Sequence, residues 1–303
     1  MNKVLIIAGP TAVGKTEISI ELAQKINGEI ICMDSRQIYK QLNIGTARPS
    51  EEEEISVPHH LFGVIDIQDH FTAFDYKFLA ERKISEVLSR NRIPILVGGT
   101  GLYIDALKKG FLNVKSDYGL RTYLRKLETN NPGILRKILV NLDPERALKI
   151  HPNDIKRIIR ALEIFIITGN KMGDVIKVNQ ENKKTYDYII FIIDRNREEL
   201  HQRINSRVEK MLEIGLIDET KEILNFGYSP NLNALNTIGY KEVIQYLHRQ
   251  IDYESMVHKI KVNTRNYARR QIIYFRKIKD KKWINISETD YENLYNIIRN
   301  RFL

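Results

Sequence analysis

Cysteine is almost missing from this 303-residue chain, with Cys32 as its sole thiol. Internal disulfides are therefore excluded, and so is any zinc site built on cysteines. Cys32 sits in the apolar run Ile30-Ile31-Cys32-Met33, where a buried thiol serves packing rather than nucleophilic chemistry. Long hydrophobic runs are missing too, and none approaches the roughly 20 apolar residues that a membrane-spanning helix requires. Met1-Asn2-Lys3 leads straight into an apolar segment, so no secretory leader is expected and the cytoplasm is the expected compartment. The sequence shows no internal repeat and no low-complexity stretch. Acidic residues are outnumbered, 38 against 48 basic ones, for a formal net charge of +10. That excess suits a polyanionic partner such as nucleic acid, although a generally basic protein has the same balance. Hydrophobic residues at 43% and charged residues at 28% describe an ordinary globular chain with a substantial core, in one domain or two.

Against these absences stands one dense motif, Gly9-Pro10-Thr11-Ala12-Val13-Gly14-Lys15-Thr16, which fits G-x-x-x-x-G-K-[ST]. Val4-Leu5-Ile6-Ile7-Ala8 precedes it as a short apolar run suited to a buried parallel strand. Ile18, Leu22 and Ile26 follow at helical spacing. Strand, glycine loop and helix N-terminus together aim backbone N–H groups and a helix dipole at one point, where an anion can sit.

Further strands end in polar or glycine-rich turns. Gly28 to Met33 ends at Asp34-Ser35, and Ile95-Leu96-Val97 ends at Gly98-Gly99-Thr100-Gly101, which opens a helix. Ligands of open α/β sheets gather at such carboxyl ends, so Asp34 and the Thr100 hydroxyl belong near whatever the glycine loop holds. Between them, Gln41 to Phe74 reads as a loop with an acidic run, Glu51 to Glu54, expected to open a solvated helix. His59-His60 lacks a third ligand at suitable spacing, so no zinc is expected there. Phe74 to Arg90 reads as an amphipathic helix. From about Asn113 the alternation stops, and Leu120–Thr129, Gly133–Asn141, Pro144–Lys149 and Asn153–Thr168 read as helices. A strand returns at Tyr188 to Ile193, followed by mainly helical sequence with a late strand at Trp283 to Ile286. The expected architecture is α/β, a P-loop NTPase-like parallel sheet core with an inserted all-helical subdomain. Residues 1–113 and 186–303 form the core, and 114–185 the insertion.

A nucleotidase of this class carries a carboxylate at a second strand end to hold magnesium, and Gly98-Gly99-Thr100 has none. Asp34 is left as the acid of the first three strand ends, able to hold a metal through water or to serve as a general base. In the second case the loop's phosphates belong to a leaving group, neutralised by Lys15 and the loop amides, with Thr16 as ligand to Mg2+. Basic residues also cluster in two other places. Lys156 and Arg160 stand one turn apart, and Arg265, Arg269 and Arg276 share one helical face with Arg270 and several lysines nearby. Tyr267, Tyr274 and Phe275 interleave with the second cluster as stacking or packing residues. A phosphate-backbone surface and a merely solvated face both fit these patterns.

Taken together, the glycine loop, Asp34-Ser35-Arg36-Gln37-Ile38-Tyr39, Gly45-Thr46-Ala47-Arg48-Pro49, Gly98 to Tyr103, His151-Pro152-Asn153-Asp154, Arg160-Ala161-Leu162-Glu163 and Gly239-Tyr240 resemble the tRNA dimethylallyltransferase family. Adenylate isopentenyltransferases share the loop and the strand-end aspartate, but the helical insertion and basic C-terminal half favour the tRNA enzyme. The resemblance implies transfer of a dimethylallyl group from dimethylallyl diphosphate to the adenine next to a tRNA anticodon, with magnesium on the diphosphate. Asp34 matches the family's base, and Thr100 the threonine that positions the adenine or the diphosphate. Asp34, Ser35, Arg36, Gln37, Thr100 and Arg121 match RNA-contacting positions, as does the stretch Lys156, Arg157, Ile158, Ile159, Arg160. Arg269, Arg270 and Arg276 match another such stretch in basic character. Gly9, Pro10, Thr11, Ala12, Val13, Gly14, Lys15 and Thr16 match the diphosphate cradle. The resemblance further implies the tRNA anticodon loop as partner, and a monomer is expected although the sequence does not give the oligomeric state. Arg48 stands where the family commonly has lysine, and the cysteine-rich finger of some eukaryotic relatives is missing. A small-molecule P-loop kinase and an RNA-binding protein with a structural P-loop are the remaining readings.

Overall fold

A computed structural model of the protein describes residues 2–109, 114–175 and 186–302. Asn113 and Thr185, where the sequence places the limits of the helical insertion, lie outside the described residues. The chain divides into two compact units, one formed by Met1–Ile104 with Thr185–Leu303 and one by Asp105–Lys184.

The first unit opens with β1 (Lys3–Ala8), α1 (Lys15–Ile26), β2 (Gly28–Cys32), α2 (Glu51–Ser56), β3 (His59–His60), α3 (Ala73–Ser89) and β4 (Ile93–Gly98). α4 (Gly101–Lys109) then runs on into the second unit. The second unit holds α5 (Tyr118–Asn130), α6 (Ile134–Leu142), α7 (Pro144–Lys149) and α8 (Ile155–Thr168). Back in the first unit come β5 (Asp187–Asp194), α9 (Arg197–Glu213), α10 (Leu216–Asn225), α11 (Tyr240–Leu247), α12 (Tyr253–Arg276), β6 (Lys281–Asn285) and α13 (Tyr291–Phe302).

The six strands form one sheet in the order β3-β2-β4-β1-β5-β6, and every pairing is parallel. Ile7 of β1 lies opposite Val97 on one side and Phe191 on the other. Residues Val4 to Ala8 are all buried, as expected of a central parallel strand covered on both faces. Ile18 and Leu22 of α1, Leu200 and Ile204 of α9 and Ile298 and Phe302 of α13 join one core with Leu5, Ile7 and Phe191. A second core gathers Tyr39, Leu216, Tyr240, Val243, Met256 and Ile260.

Two short elements lie in the stretch expected to be loop. α2 is the helix that the acidic run announces, closed by a capping box in which Ser50 and Glu53 bond each other's backbone N–H. β3 is only the two histidines, too short for periodicity to show. His59 Nδ1 lies 2.6 Å from the Val57 carbonyl and His60 Nε2 lies 2.6 Å from Glu29 Oε2.

In the second unit Leu124, Leu135, Leu139, Ile158, Ile159 and Leu162 form the core. Asp117, Asp143 and Asp154 cap the N-termini of α5, α7 and α8 through their side chains. Glu163 is completely buried, accepting bonds from Arg121 (2.9 and 2.8 Å), from Arg160 (2.5 Å) and from the Asp117 amide (2.7 Å). Burial pushes its carboxyl upward, but the two guanidiniums and the amide outweigh that and hold it below the ordinary glutamate value.

Candidate active site

The glycine loop joins β1 to α1, and Gly14 enters the helix with φ at 106°, a left-handed conformation that glycine adopts without strain. Gly9 is needed for space, since a Cβ there would lie 2.4 Å from the Ile193 carbonyl oxygen. Lys15 Nζ donates to the carbonyls of Gly9 (3.0 Å) and Pro10 (2.8 Å), so its charge is folded over the loop. Three arginines that follow β5 in the chain, Arg195 at its end and Arg203 and Arg207 on α9, reinforce the same loop. Arg195 Nε donates to the Val13 carbonyl (2.8 Å), Arg203 Nε to the Ala12 carbonyl (3.0 Å) and Arg207 Nη1 to the Thr11 hydroxyl (3.2 Å).

This crowding of cations has an electrostatic consequence. Burial, then the neighbouring Arg207, push Lys15 down to about 7, against the opposing pull of Asp34. Arg207 is itself lowered, by burial first and by Arg203 second. Half-buried cations crowded together gain most when an anion is placed among them. The loop is therefore suited to an anion by charge as well as by backbone geometry.

The carboxyl ends of β2 and β4 meet beside it. Met33 N donates to the Val97 carbonyl (2.7 Å), Thr100 N to the Met33 carbonyl (3.3 Å), and Ser35 N to the Thr100 hydroxyl (3.0 Å). A Cβ on Gly98 would lie 2.1 Å from the Met33 carbonyl oxygen, so only glycine lets the two strand ends come this close. Asp34 Oδ1 accepts from the Arg36 amide at 2.8 Å in an Asx-type turn. Gln271 of α12 ties the two halves together, accepting from Thr11 N and donating to the Gly99 carbonyl, both at 2.9 Å.

Thr11 to Thr16, Asp34, Arg203, Arg207, Tyr267, Arg270 and Gln271 line a cavity of about 1550 Å³, with Phe62, Met211, Ile214 and Ile260 among its apolar walls. Common small-ligand sites occupy roughly 300–1,000 Å³, so this one has room for more than a small donor. The donor set also suits a magnesium ion. Thr16 offers a hydroxyl and Asp34 a carboxylate on one cavity, while the described residues hold no cluster of three carboxylates, histidines or cysteines. Magnesium binds in this sparse way, keeping waters and taking phosphate oxygens as its other ligands.

The family model described as IPP transferase matches residues 37–278, and the isopentenyl transferase model matches residues 2–61. A tRNA dimethylallyltransferase from Petrotoga mobilis is 69% identical over 303 residues, all of both chains. The chain belongs to the IPP transferase family. Among solved structures, the full-length tRNA isopentenylpyrophosphate transferase of Bacillus halodurans is 36% identical with a TM-score of 0.74, covering 100% of this chain and 97% of that one. A eukaryotic dimethylallyltransferase acting on tRNA is 30% identical with a TM-score of 0.86, covering 100% of this chain and 79% of that one.

Set against the residues expected of an IPP transferase, the structure brings Gly9 to Thr16, Asp34 and Thr100 together in the first unit. Ser35 gives its amide to Thr100, and Arg36 Nη1 donates to the Asn233 carbonyl (2.9 Å). Gln37 is committed internally: its Nε2 donates to the carbonyls of Thr46 (3.1 Å) and Ala47 (2.8 Å). Arg48 reaches Glu54 Oε1 (3.4 Å) and Asn43 Oδ1 (3.4 Å) and packs over Gly63, where a Cβ would strike its guanidinium. Arg269, Arg270 and Arg276 are exposed on α12, with the Arg270 guanidinium 5.8 Å from the Tyr267 ring centre. Phe275 is fully buried and is a packing residue.

The second unit corrects part of the expected RNA surface. Ile158 and Ile159 are buried in its core, where apolar side chains at helical spacing must go, so their side chains cannot touch RNA. Arg121 and Arg160 spend their guanidiniums on Glu163, whereas Lys156 and Arg157 are exposed. Sequence reasoning missed Arg195, Arg203, Arg207 and Gln271. The available signal was the four-residue spacing of Arg203 and Arg207 on α9, a cationic pair on one helical face; Arg195 precedes that helix.

Proposed function

We propose that this chain is a tRNA dimethylallyltransferase that takes its dimethylallyl group from dimethylallyl diphosphate. The observation that carries the reading is the pairing of a cation-crowded phosphate loop with the Asp34 carboxylate on one cavity. A kinase needs carboxylates to hold the metal of its nucleotide, and the end of β4 supplies glycines and Thr100 instead. In the proposed reaction the exocyclic amine of the adenine 3′ to the anticodon attacks the allylic carbon of the donor. The new C–N bond forms as the C–O bond to diphosphate breaks, and Asp34 takes the amine proton. Lys15, Arg207 and the loop amides receive the charge that grows on the departing diphosphate, so they favour the transition state over the bound donor. Thr16 would hold a magnesium ion that supplies further charge neutralisation on the diphosphate.

An adenine stacked in the anticodon loop is out of reach and must be flipped out, at a cost of a few kcal/mol in stacking. Contacts from Arg269, Arg270 and Arg276, and from Lys156 and Arg157, offset that cost in this reading. Among the described residues no helix is long and apolar enough to cross a membrane. We place the enzyme in the cytoplasm as a monomer, where its RNA is. The test is direct. Purified protein, unmodified tRNA and magnesium are mixed with labelled dimethylallyl diphosphate or labelled ATP. The prenyl label is expected on the RNA at that adenine. Label from ATP on any acceptor, or no transfer of either label, overturns the reading.

A further inference from the structure

Two motifs, Gly45 to Pro49 and Gly239-Tyr240, have no part in the chemistry above, yet the structure joins them. The Glu219 carboxylate, on α10, accepts from three consecutive backbone amides of the first motif's loop: Asn43 N (3.1 Å), Ile44 N (2.9 Å) and Gly45 N (3.4 Å). Its remaining capacity takes the Tyr240 hydroxyl at 2.5 Å, and the same hydroxyl accepts from Gly45 N at 3.1 Å. Tyr240 is fully buried, and a Cβ at Gly45 would lie 2.4 Å from its ring. A carboxylate accepting four donors is saturated, so this contact specifies one loop conformation.

The loop so held is bent back on itself. Thr46 Oγ1 donates to the Leu42 carbonyl (2.7 Å), and Ala47 carries a positive φ of 50°, a backbone state that alanine adopts only when its surroundings impose it. Its exposed side, Asn43 to Pro49, lines the cavity with Asp34 and Lys15. Its carbonyls at Thr46 and Ala47 are the two that fix the Gln37 amide, three residues beyond Asp34. On the other flank, Arg36 is held by the Asn233 carbonyl, in the segment leading to Tyr240.

We propose that Glu219 and Tyr240 are positioning residues for the transfer site. Resting on the transferase reading, the proposal is that they set the Asn43–Arg48 loop, and through Gln37 the turn that presents the Asp34 carboxylate. A shift of about 1 Å in such a group can cost on the order of 100-fold in rate. The variants are Tyr240→Phe and Glu219→Gln. Each is expected to stay folded and to lower kcat by about 10- to 100-fold while KM for dimethylallyl diphosphate moves less than about threefold. The double variant should be no worse than about threefold below the poorer single, because the pair acts as a unit. Hydrogen exchange at the amides of Asn43 to Gly45 should quicken in both, a readout that needs no activity. Wild-type kcat in either variant overturns the proposal, even with a lowered Tm. So does a loss confined to the donor's KM, or unchanged exchange at the three amides. If the wild type itself transfers no prenyl group, the functional reading fails, and with it the positioning role, although the exchange data still report the clamp.

Discussion

In the proposed reaction Asp34 and Lys15 carry most of the chemistry, and each role has a consequence that can be measured. Asp34 does two things, accepting the Arg36 amide and offering a carboxylate to the cavity. Asp34→Asn keeps an acceptor for that amide but is no longer basic, whereas Asp34→Ala removes both. If proton removal is the role, both variants should lose transfer by about 10²- to 10⁴-fold while RNA binding survives. Near-normal rates in Asp34→Asn would assign Asp34 to turn geometry instead. Lys15, lowered to about 7 chiefly by burial, should regain its proton when an anion settles beside it. Calorimetry of inorganic diphosphate binding in buffers of differing ionisation heat should then show about one more proton taken up at pH 8 in the wild type than in Lys15→Arg. The difference should fade below about pH 6, where the lysine is already charged. Neither residue's partner set was legible in sequence. The motif names Lys15, but the depressed ammonium depends on Arg207, which lies 192 positions away in sequence and joins it only through folding.

At the level of elements, the second unit turns on Glu163. Buried carboxylates with two arginine partners are costly to disrupt, and removing one member by Glu163→Ala leaves two guanidiniums uncompensated, at about 3–5 kcal/mol. Chemical denaturation followed through a probe in that unit should register the loss. The pH dependence has a definite sign. Glu163 is held below its ordinary value of 4.5, so its contribution is fully present above that pH and is lost as pH falls through the lower, folded value. Unfolding of the unit should therefore set in on acidification below about pH 4.5, and Glu163→Gln should flatten that limb. Helices α5 to α8 were readable from periodicity, caps and prolines, because those signals are local. The destination of Arg121 and Arg160 was not. An arginine beside an apolar stripe has the same letters whether it faces RNA or a buried carboxylate.

Across the whole molecule there is an excess of ten positive charges, and Arg269, Arg270 and Arg276 are exposed on α12. If exposed arginines on α12 contact RNA phosphates, binding should weaken steeply with salt. Arg276→Ala or Arg269→Ala should each flatten the plot of log K against log salt by about 0.7–1, with little change in preference among tRNAs. An unchanged slope would remove those residues from the interface. The same scale separates what sequence could decide from what it could not. The chain by itself determined the parallel α/β core, the phosphate loop, the strand-end aspartate and the helical insertion, since these rest on spacing within a few turns of helix or one strand-turn-helix unit. Tertiary structure alone decided which distant residues complete the site. Arg203 and Arg207 on α9, Gln271 on α12 and the Glu219–Tyr240 clamp reach the loop or the Asp34 turn only when the sheet order sets β5 beside β1 and stacks helices behind it. A hydrogen bond between residues 260 positions apart, such as Thr11 to Gln271, leaves no periodicity in the chain to be read.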